Sequence, residues 1–529
     1  MAHKEDVEED EPLLNPNPVG QEDRSLLSSM NSVDSVDVPL LIASQDLPKP
    51  RQQRKFFCID VEFLNIILLG LGFMFSIGAY QTAAMAQTVV LNSVKDDWFQ
   101  GTSTMGYICL AINCGTQAVA YLLGPSIVAI IGPKLAIVGG AVCISLFIST
   151  FLRPIAITIY IGSSILGWGV GIIWVVQGYF VTINSTKSTN GRNTGIFWAL
   201  YQTSLVTGNM FYFLMLHGQE SIDPTTRFIV FAVLLGVSVL GIVTFSLLVH
   251  PWTGKPLRPP TEETEIDEFE YQGPKQALVA TLKFAMKKEM WILLPMFLYI
   301  GIELSFWVNV YGTCLGYTLR FGIIRESLVG LNGVFVGIGE ITGGFALGLL
   351  GKWSHRNGKD PGILFAMLIH FCCFYLAFLN LPADSPLGKT PEKSLLEPNE
   401  DIAMLCAFLL GFGDAVWNNQ LMAFLGIVYP HETVAAFAVY QFWGSIGNTV
   451  AYLYSTVLLL PYQLLLLVVS AVPAAFGFFM EEWKWGFLDS EAYKRLHRKN
   501  SDPDFNEPER SIYEPQCVDH HADQSLIIP

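Results

Sequence analysis

The sequence ALYQTSLVTGN at positions 199–209 returns as AVYQFWGSIGN at positions 438–448, almost half the chain length away. Both copies keep Ala, Tyr, Gln, Gly and Asn at the same spacing, and both lie in apolar stretches long enough to cross a bilayer. Five identities at fixed spacing indicate an internal duplication. The repeat therefore predicts a membrane protein built from two related halves. Duplicated membrane proteins are most often transporters.

Two further repeats occur in the same order in each half. Glycines spaced nine apart occur at Gly106, Gly115 and Gly124, and again at Gly330, Gly339 and Gly348. The sequence LGWG at 166–169 leads to Trp174 and Gln177, and LGFG at 410–413 leads to Trp417 and Gln420. Glycine and aromatic residues are common in membrane helices, so the glycines alone leave a chance origin open. The shared order favours duplication.

Composition indicates a membrane protein. The mean hydropathy is +0.42, and charged residues make up 15% of the chain, well below the share expected of a soluble protein. Runs of about 20 apolar residues, each able to span the hydrocarbon, lie near 63–90, 104–123, 135–153, 155–182, 195–216, 227–249, 290–312, 327–350, 361–381, 402–428, 434–459 and 463–480. These runs predict an all-α membrane protein with twelve transmembrane helices in two pseudo-symmetric six-helix halves.

The chain divides at its polar segments. We expect a disordered cytosolic tail with dileucine-type signals at 1–58, a six-helix half at 59–250, a cytosolic central loop at 251–289, a second six-helix half at 290–482 and a cytosolic tail at 483–529. Lys and Arg gather before the first span, in the central loop and after the last span, which predicts that both termini and that loop face the cytosol. The first apolar run starts past residue 60, so it is expected to act as an uncleaved anchor.

The net charge of −15 belongs mostly to the tails. Residues 1–48 hold eleven acids and two bases, and residues 481–529 hold eleven acids and six bases, so the membrane body is close to neutral. The nine cysteines have neither a disulfide nor a zinc spacing, and no Walker lysine motif occurs. We therefore expect no cofactor, no metal site and no nucleic-acid partner, and we disfavour an enzyme or an ATP-driven pump.

Four motifs resemble the Unc-93-like family of the major facilitator superfamily: GRNTGIFWA at 191–199, YGTC at 311–314, GIGE at 337–340 and LGFGD at 410–414. The resemblance covers about residues 60–485 and is greatest to the branch labelled major facilitator domain-containing. It implies a facilitator fold in which spans 5 and 11 line a cavity and pack against spans 8 and 2. Some members of that family look like transporters by fold, and others act as regulatory subunits of potassium channels or as trafficking partners of receptors.

Two motifs depart from ordinary facilitators. The stretch after span 8 resembles the superfamily's cytosolic gating loop through Gly351, His355, Arg356 and Gly358, with His355 in the place of the usual Asp. The matching stretch after span 2, at 124–134, has no acid. In span 4, Trp174 stands where the superfamily's Arg-x-x-Gln-Gly motif has Arg, which speaks against conventional proton antiport.

Three acids are predicted at membrane depth, namely Glu303, Glu340 and Asp414, with no Lys or Arg at similar depth. Because such groups are expensive in a bilayer, each is a candidate site for a proton, a metal ion or a cationic solute. The alternative is a protonated acid bonded to a neighbouring helix or facing a wet vestibule. The candidate site also includes amides, for which helix–helix bonding is the alternative: Gln177, Gln202, Asn209, Gln420, Gln441 and Asn448.

The N-terminal tail has three matches to the acidic dileucine pattern read by clathrin adaptors. Each pairs an acid with two aliphatic residues four and five positions later, and together they comprise Glu9, Leu13, Leu14, Glu22, Leu26, Leu27, Asp37, Leu41 and Ile42. Such signals act in exposed cytosolic segments. The tail therefore predicts clathrin adaptors as partners and an endolysosomal membrane, with the plasma membrane as the alternative.

Together these patterns favour a secondary transporter of an unidentified small solute, linked to a cation or a proton. The alternative is a non-transporting regulatory or trafficking subunit bound to another membrane protein. The sequon at Asn184 falls between spans 4 and 5, on the predicted cytosolic side, so it is expected to be unmodified.

Overall fold

The computed structural model describes residues 55–56, 59–96, 99–185, 189–219, 222–249, 274–429 and 432–501. Within these residues thirteen helices form the fold: α1 (Val61–Ser93), α2 (Ser103–Ile131), α3 (Pro133–Ser149), α4 (Ala156–Ile183), α5 (Asn190–Leu216), α6 (Pro224–Ser246), α7 (Pro274–Ala285), α8 (Lys288–Tyr317), α9 (Arg325–Asn357), α10 (Asp360–Asn380), α11 (Glu400–Val428), α12 (Thr433–Ser455) and α13 (Leu460–Ser501).

Short elements connect some of these helices. Two hairpins of two-residue strands, β1 (Lys55–Phe56) with β2 (Ile59–Asp60) and β3 (Lys95–Asp96) with β4 (Phe99–Gln100), lie before and after α1. A 3₁₀ turn, Leu319–Ile324, separates α8 from α9. Helix α8 itself contains a π-helical segment, Phe306–Val310, in its outer half.

Two groups of six helices repeat one packing scheme. In the first, α1 packs on α5 and α6, α4 packs on α2 and α3, and α3 packs on α6. In the second, α8 packs on α12 and α13, α11 packs on α9 and α10, and α10 packs on α13. The halves join through α2 with α12 and through α5 with α9, as the family resemblance implied. In the described residues, the two groups of six helices thus share the packing scheme that a duplicated chain is expected to have.

The repeated glycines lie where helices of one half approach each other closely. A Cβ added at Gly167 in α4 would lie 2.2 Å from the Asn113 carbonyl oxygen in α2. In the other half, a Cβ at Gly411 in α11 would lie 2.1 Å from the Val336 carbonyl oxygen in α9. The LGWG and LGFG motifs therefore mark the same backbone-to-backbone contact in both halves.

Eight of the helices are long and apolar enough to cross a membrane. Helix α3 is apolar but shorter, and α5, α11 and α12 carry more polar side chains. Each predicted apolar run coincides with one of the twelve long helices. The class of all-α membrane protein is thus established, and twelve spans are one interpretation of the twelve long helices.

The predicted loops after spans 2 and 8 are wrong, because both segments are helical. Helix α2 continues through Gly124 and Pro125 to Ile131, and α9 continues through Gly351 to Asn357. Each helix ends instead at a glycine with positive φ, Gly132 at 85° and Gly358 at 89°. Such a backbone conformation favours glycine, so these two residues form matching tight turns into α3 and α10.

Hydrogen bonds between the halves gather at one end of the bundle, which we call the sealed end. It contains the C-terminal ends of α1 and α8 and a segment at 382–391 that we call the strap. Ser103 Oγ donates to the Leu387 carbonyl at 2.7 Å, and Tyr107 Oη donates to the Pro386 carbonyl at 3.0 Å. The strap belongs to the second half and bonds to α2 of the first, so it ties the two together.

Candidate functional site

The three predicted acids are buried in the second half. Glu303 in α8, Asp414 in α11 and Glu340 in α9 are 1%, 6% and 8% exposed. Glu303 and Asp414 lie within hydrogen-bonding contact of each other, and Glu340 is close enough to Asp414 to act on its charge. The structure therefore brings together three carboxyl groups that are 37 and 74 residues apart along the chain.

Glu303 is next to a buried histidine. The distance from His370 Nε2 to Glu303 Oε1 is 3.5 Å, and both side chains are almost completely buried. His370 Nδ1 is 2.7 Å from Tyr299 Oη, and His370 Nε2 is 3.4 Å from the Leu410 carbonyl oxygen. Position 370 is thus a packing histidine with both ring nitrogens in contact with polar groups, and among the described residues it is the basic group that lies beside the acids.

Asp414 is held by its own helix and by α12. Asn418 Nδ2 donates to Asp414 Oδ1 at 2.8 Å, and Tyr440 Oη donates to Asn418 Oδ1. Tyr440 is the tyrosine of the second repeat copy. The second copy therefore supports the acid pair through Asn418, a residue that sequence patterns did not single out.

Glu340 connects the halves. Gln202 Nε2 in α5, the glutamine of the first repeat copy, donates to Glu340 Oε2. The adjacent Tyr201 is buried and lies near Glu340, and its ring lies 5.5 Å from that of Trp174 and 5.7 Å from that of Trp198. The first half thus presents an amide and an aromatic group to a carboxyl of the second half.

The acids have little compensation from neighbouring groups. Among the described residues, no Lys or Arg forms an ion pair with any of the three, and His370 is the one basic side chain in reach. Glu303 Oε1 and Trp417 Nε1 are buried polar atoms without a hydrogen-bond partner among the described residues. Trp307 lies within hydrogen-bonding contact of Asp414. Carboxyls in contact cannot all ionise in an apolar interior without a cation beside them.

The π-helical segment of α8 follows the site directly. It begins three residues after Glu303 and contains Trp307 and Asn309. Asn309 Nδ2 donates to the Ala84 carbonyl at 2.6 Å, and Asn309 Oδ1 accepts from Thr88 Oγ1 at 2.6 Å. One turn of irregular helix therefore connects the acid cluster to the sealed end, a placement that is common for π-bulges at functional sites.

The other predicted amides do not join the acids. Asn209 donates to the Leu205 carbonyl of its own helix at 2.8 Å and lies against Gly333 of α9. Gln420 lies against Gly362 of α10, while Asn448 is buried with Oδ1 unpartnered. Gln177 and Gln441 are half-buried. Asn209 thus acts in helix packing, the alternative considered for these amides.

The predicted gating and sorting residues are only partly described. Gly351, His355 and Arg356 lie in the last turns of α9, where the structure describes the backbone alone. Gly358 forms the turn after α9, and the following Lys359 N–H donates to Glu482 of α13. The dileucine-type residues from Glu9 to Ile42 lie outside the described residues.

Among the described residues, no group of three or more His, Cys, Asp and Glu side chains is arranged to hold a metal ion.

Known proteins resemble this chain along most of its length. The family described as "Ion channel regulatory protein UNC-93" matches residues 100–479. UNC93-like protein MFSD11 of Xenopus laevis is 36% identical over 80% of this chain and 96% of its own length. Protein unc-93 homolog A of Danio rerio is 23% identical over 74% of this chain and 85% of its own length. Both relatives are named after UNC-93, as is the matching family.

A crystal structure of a POT family transporter in complex with 5-aminolevulinic acid shares the fold. It has a TM-score of 0.58 and 11% identity, and the match covers 81% of this chain and 97% of the transporter. At this identity the likeness concerns the fold alone. The chain therefore shares its arrangement of helices with that transporter.

Proposed function

The chain belongs to the UNC-93 family, and from that premise we propose that it is a secondary transporter of a small solute, linked to a proton or a cation. The single observation that supports this proposal is the contact between Glu340 of the second half and Gln202 of the first. The hydrogen bond of a buried carboxyl that bridges the halves changes when one half moves against the other. Alternating access moves one half against the other around such a central site.

The mechanism follows from the residues around the acids. Protonation of Glu303 or Asp414, or binding of a cation between them, removes the repulsion between carboxyls that share one apolar site. The same event at Glu340 weakens its charge-assisted bond to Gln202. The halves are then free to separate at the centre. Trp417 Nε1, which has no hydrogen-bond partner among the described residues, supplies a donor for a bound solute.

Transport is tested with purified protein in proteoliposomes under an inside-alkaline pH gradient. A mixture of amino acids, dipeptides, nucleosides and organic ammonium compounds is offered, and uptake is measured by mass spectrometry. We expect at least one component to accumulate above empty vesicles. Glu340→Gln should abolish that uptake, because Gln cannot release or take up a proton. Glu392→Gln, an exposed acid of the strap region, is the matched control and should transport normally.

Asp414→Asn extends the test to the acid pair. It should weaken uptake, and the double variant with Glu340→Gln should add little, because the two groups share one site. Uptake that survives Glu340→Gln would contradict the carboxyl mechanism. Absence of uptake of every component by the wild-type protein would contradict transport of these solute classes.

A second function is favoured by the description of the matching family, which names a regulatory protein of ion channels. In that case the chain binds another membrane protein and moves no solute. Affinity purification from its native membrane, followed by mass spectrometry, tests this alternative. A stoichiometric channel partner that is retained equally by the wild type and Glu340→Gln would favour the subunit.

We further propose that all twelve long helices cross the bilayer and that both termini are cytosolic. The four helices beyond the eight most apolar ones are α3, α5, α11 and α12, each of which packs against helices that are apolar enough to span. Epitope tags at either terminus should become accessible to antibody only after the membrane is permeabilised. Access to one tag in intact cells would require an odd number of spans.

The proposed location is an endolysosomal membrane, reached through clathrin adaptors that bind the dileucine-type signals of the N-terminal tail. Changing Leu13, Leu14, Leu26, Leu27, Leu41 and Ile42 together to Ala should move a tagged protein to the cell surface. Thermal unfolding of the purified variant should be unchanged. An unaltered distribution would exclude these signals.

A further inference from the structure

Helix α7 lies at the end of the bundle opposite the sealed end, directly before the spanning helix α8. It packs against α2 of the first half and α12 of the second. Its inner face consists of Ala277, Thr281 and Phe284, all buried, and the Phe284 ring lies 5.0 Å from the Tyr429 ring at the end of α11. The helix is thus anchored along one side at the boundary where α8 enters the membrane.

The outer face of α7 carries both apolar and basic side chains. Val279 and Leu282 are 39% and 47% exposed, and Met286 just after the helix is 71% exposed. Lys275 and Lys283 lie on the same face, one turn on either side of Val279. A shallow, open depression follows this face, which we call the groove; its described lining is Lys275, Gln276, Val279, Ala280 and Lys283, all of α7.

The lysines near α7 fall into two kinds. Lys287 forms an ion pair with Glu432 and lies over the Phe284 ring at 4.6 Å, and Lys288 lies close enough to Glu481 to act on its charge. Lys275 and Lys283 are exposed and form no ion pair with any residue that the structure describes. Within the described part of the chain, the groove therefore has two positive charges without a counter-ion.

We propose that this groove binds the headgroup of an anionic phospholipid from the adjoining membrane leaflet. The two ammonium groups contact the phosphate and the acidic headgroup, while Val279, Leu282 and Met286 lie in the upper acyl region. A helix with an apolar and a basic side is typical of the membrane interface. A soluble anion would neutralise the lysines but leave three apolar side chains in water, so the combination favours a lipid.

The site has a consequence for the fold, because α7 contacts one helix of each half. A lipid bound along α7 is therefore expected to affect how closely α2 and α12 pack together. It does so far from the acid cluster and independently of the proposed transport.

The test uses the full-length protein purified in detergent and native mass spectrometry with added phosphatidylserine or phosphatidylcholine. We expect the wild type to retain phosphatidylserine in preference to phosphatidylcholine. Because each lysine near an anionic membrane contributes about 1 kcal/mol, Lys275→Gln with Lys283→Gln should reduce phosphatidylserine retention about tenfold or more. Retention of phosphatidylcholine should not change.

Two controls keep the result specific. Lys287→Gln with Lys288→Gln removes the same charge from the same end of the molecule, but from lysines already placed near acids, and should keep phosphatidylserine bound. Lys275→Arg with Lys283→Arg preserves the charge and should restore binding to within about twofold, since both residues act near the surface mainly as positive charges.

Three outcomes would overturn the proposal. Equal phosphatidylserine retention by the wild type and the Lys275/Lys283 double Gln variant would place the lipid elsewhere. Equal loss with the Lys287/Lys288 control would reduce the effect to net charge. Displacement of the bound lipid by millimolar inorganic phosphate, with phosphate binding lost in the double Gln variant, would identify a soluble-anion site instead.

Discussion

The two copies of the Ala-x-Tyr-Gln repeat have the same sequence and different neighbours. In α5 the glutamine, Gln202, crosses to the other half and bonds to Glu340. In α12 the tyrosine, Tyr440, bonds to Asn418 within its own half, and Gln441 forms no hydrogen bond with another residue that the structure describes. The two copies therefore occupy equivalent helices and differ in the hydrogen-bond partners of their Tyr and Gln side chains.

The same division separates the two halves as a whole. Buried polar groups of the first half are mostly hydroxyls and amides, as in the bond from Asn65 Nδ2 to Asn184 Oδ1 at 2.8 Å, and among its described residues no acid is buried. Those of the second half include the acids Glu303, Glu340 and Asp414. The two similar scaffolds thus differ in that the second holds the buried acids and the first holds Gln202, the partner of one of them. Four predictions test this comparison.

The largest effect is expected at the paired glycines of the repeat. A Cβ at Gly447 would lie 2.5 Å from the Leu298 carbonyl oxygen, which is backbone and cannot move aside. A Cβ at Gly208 would lie 2.2 Å from Thr82 Oγ1, a side-chain atom that can rotate away. Gly447→Ala should therefore destabilise the protein by about 3 kcal/mol and Gly208→Ala by about 1 kcal/mol.

Thermal unfolding in detergent measures the difference between the two glycine variants. Equal losses at both positions would mean that the two halves constrain the repeat in the same way.

The second prediction concerns the paired glutamines. Gln202→Leu removes the donor to Glu340 and leaves a buried carboxyl oxygen without a partner, which should lower the unfolding free energy by about 1–3 kcal/mol. Gln441→Leu removes no bond to a described residue and should be neutral within about 0.5 kcal/mol. Unfolding curves of the two variants, measured side by side, decide the point. A larger effect at Gln441 would reverse the assignment of roles.

The third prediction uses the paired asparagines. Asn209→Ala removes a side chain that fills the space beside Gly333 and should be destabilising by about 1 kcal/mol. Asn448→Ala removes a buried oxygen that has no partner, so the lost desolvation should offset the lost packing. We expect its melting temperature to stay within about 2 °C of the wild type. A fall as large as that of Asn209→Ala would indicate an unseen bond at Asn448.

The smallest effect is expected at the sequon of the first half. Asn184 is 7% exposed, its Oδ1 accepts from Asn65, and its Nδ2 donates to the Phe180 carbonyl at 2.8 Å. The amide nitrogen that would carry a glycan is thus already bonded. Glycosidase treatment should not change the mobility of the wild type, and Asn184→Gln should migrate identically. A glycosidase-sensitive band would contradict both the burial and the proposed topology.

Much of the fold could be predicted from the sequence, because apolar length and repeats report directly on membrane helices. The helix ends could not. Gly124-Pro125 and Gly351 look like stop signals, but α2 and α9 continue because their neighbours α4 and α11 pack against them. Helix α7 lies within the predicted central loop at 251–289. With only twelve residues, it is too short for its apolar periodicity to predict a helix.

The candidate site was only half predictable. Buried acids stand out in an apolar sequence, so Glu303, Glu340 and Asp414 were found. Their partners could not be found in the same way, because His370, Asn418 and Tyr299 come from three helices and ordinary polar residues carry no signal of proximity. Gln202 was predicted as a site residue because it belongs to the repeat.

The hydrogen bonds at the sealed end determine how much of the protein occupies a conformation in which that end is open. Between the described residues, five hydrogen bonds of 3.2 Å or shorter join the halves there: Thr88 to Asn309, Asn309 to Ala84, Tyr317 to Thr88, Ser103 to Leu387 and Tyr107 to Pro386. At about 1 kcal/mol each, opening this end without compensation is disfavoured by roughly 5 kcal/mol. A state that opens there would then be occupied by fewer than about one molecule in a thousand, and a ligand would have to prefer it by about 10⁴-fold to make it dominant.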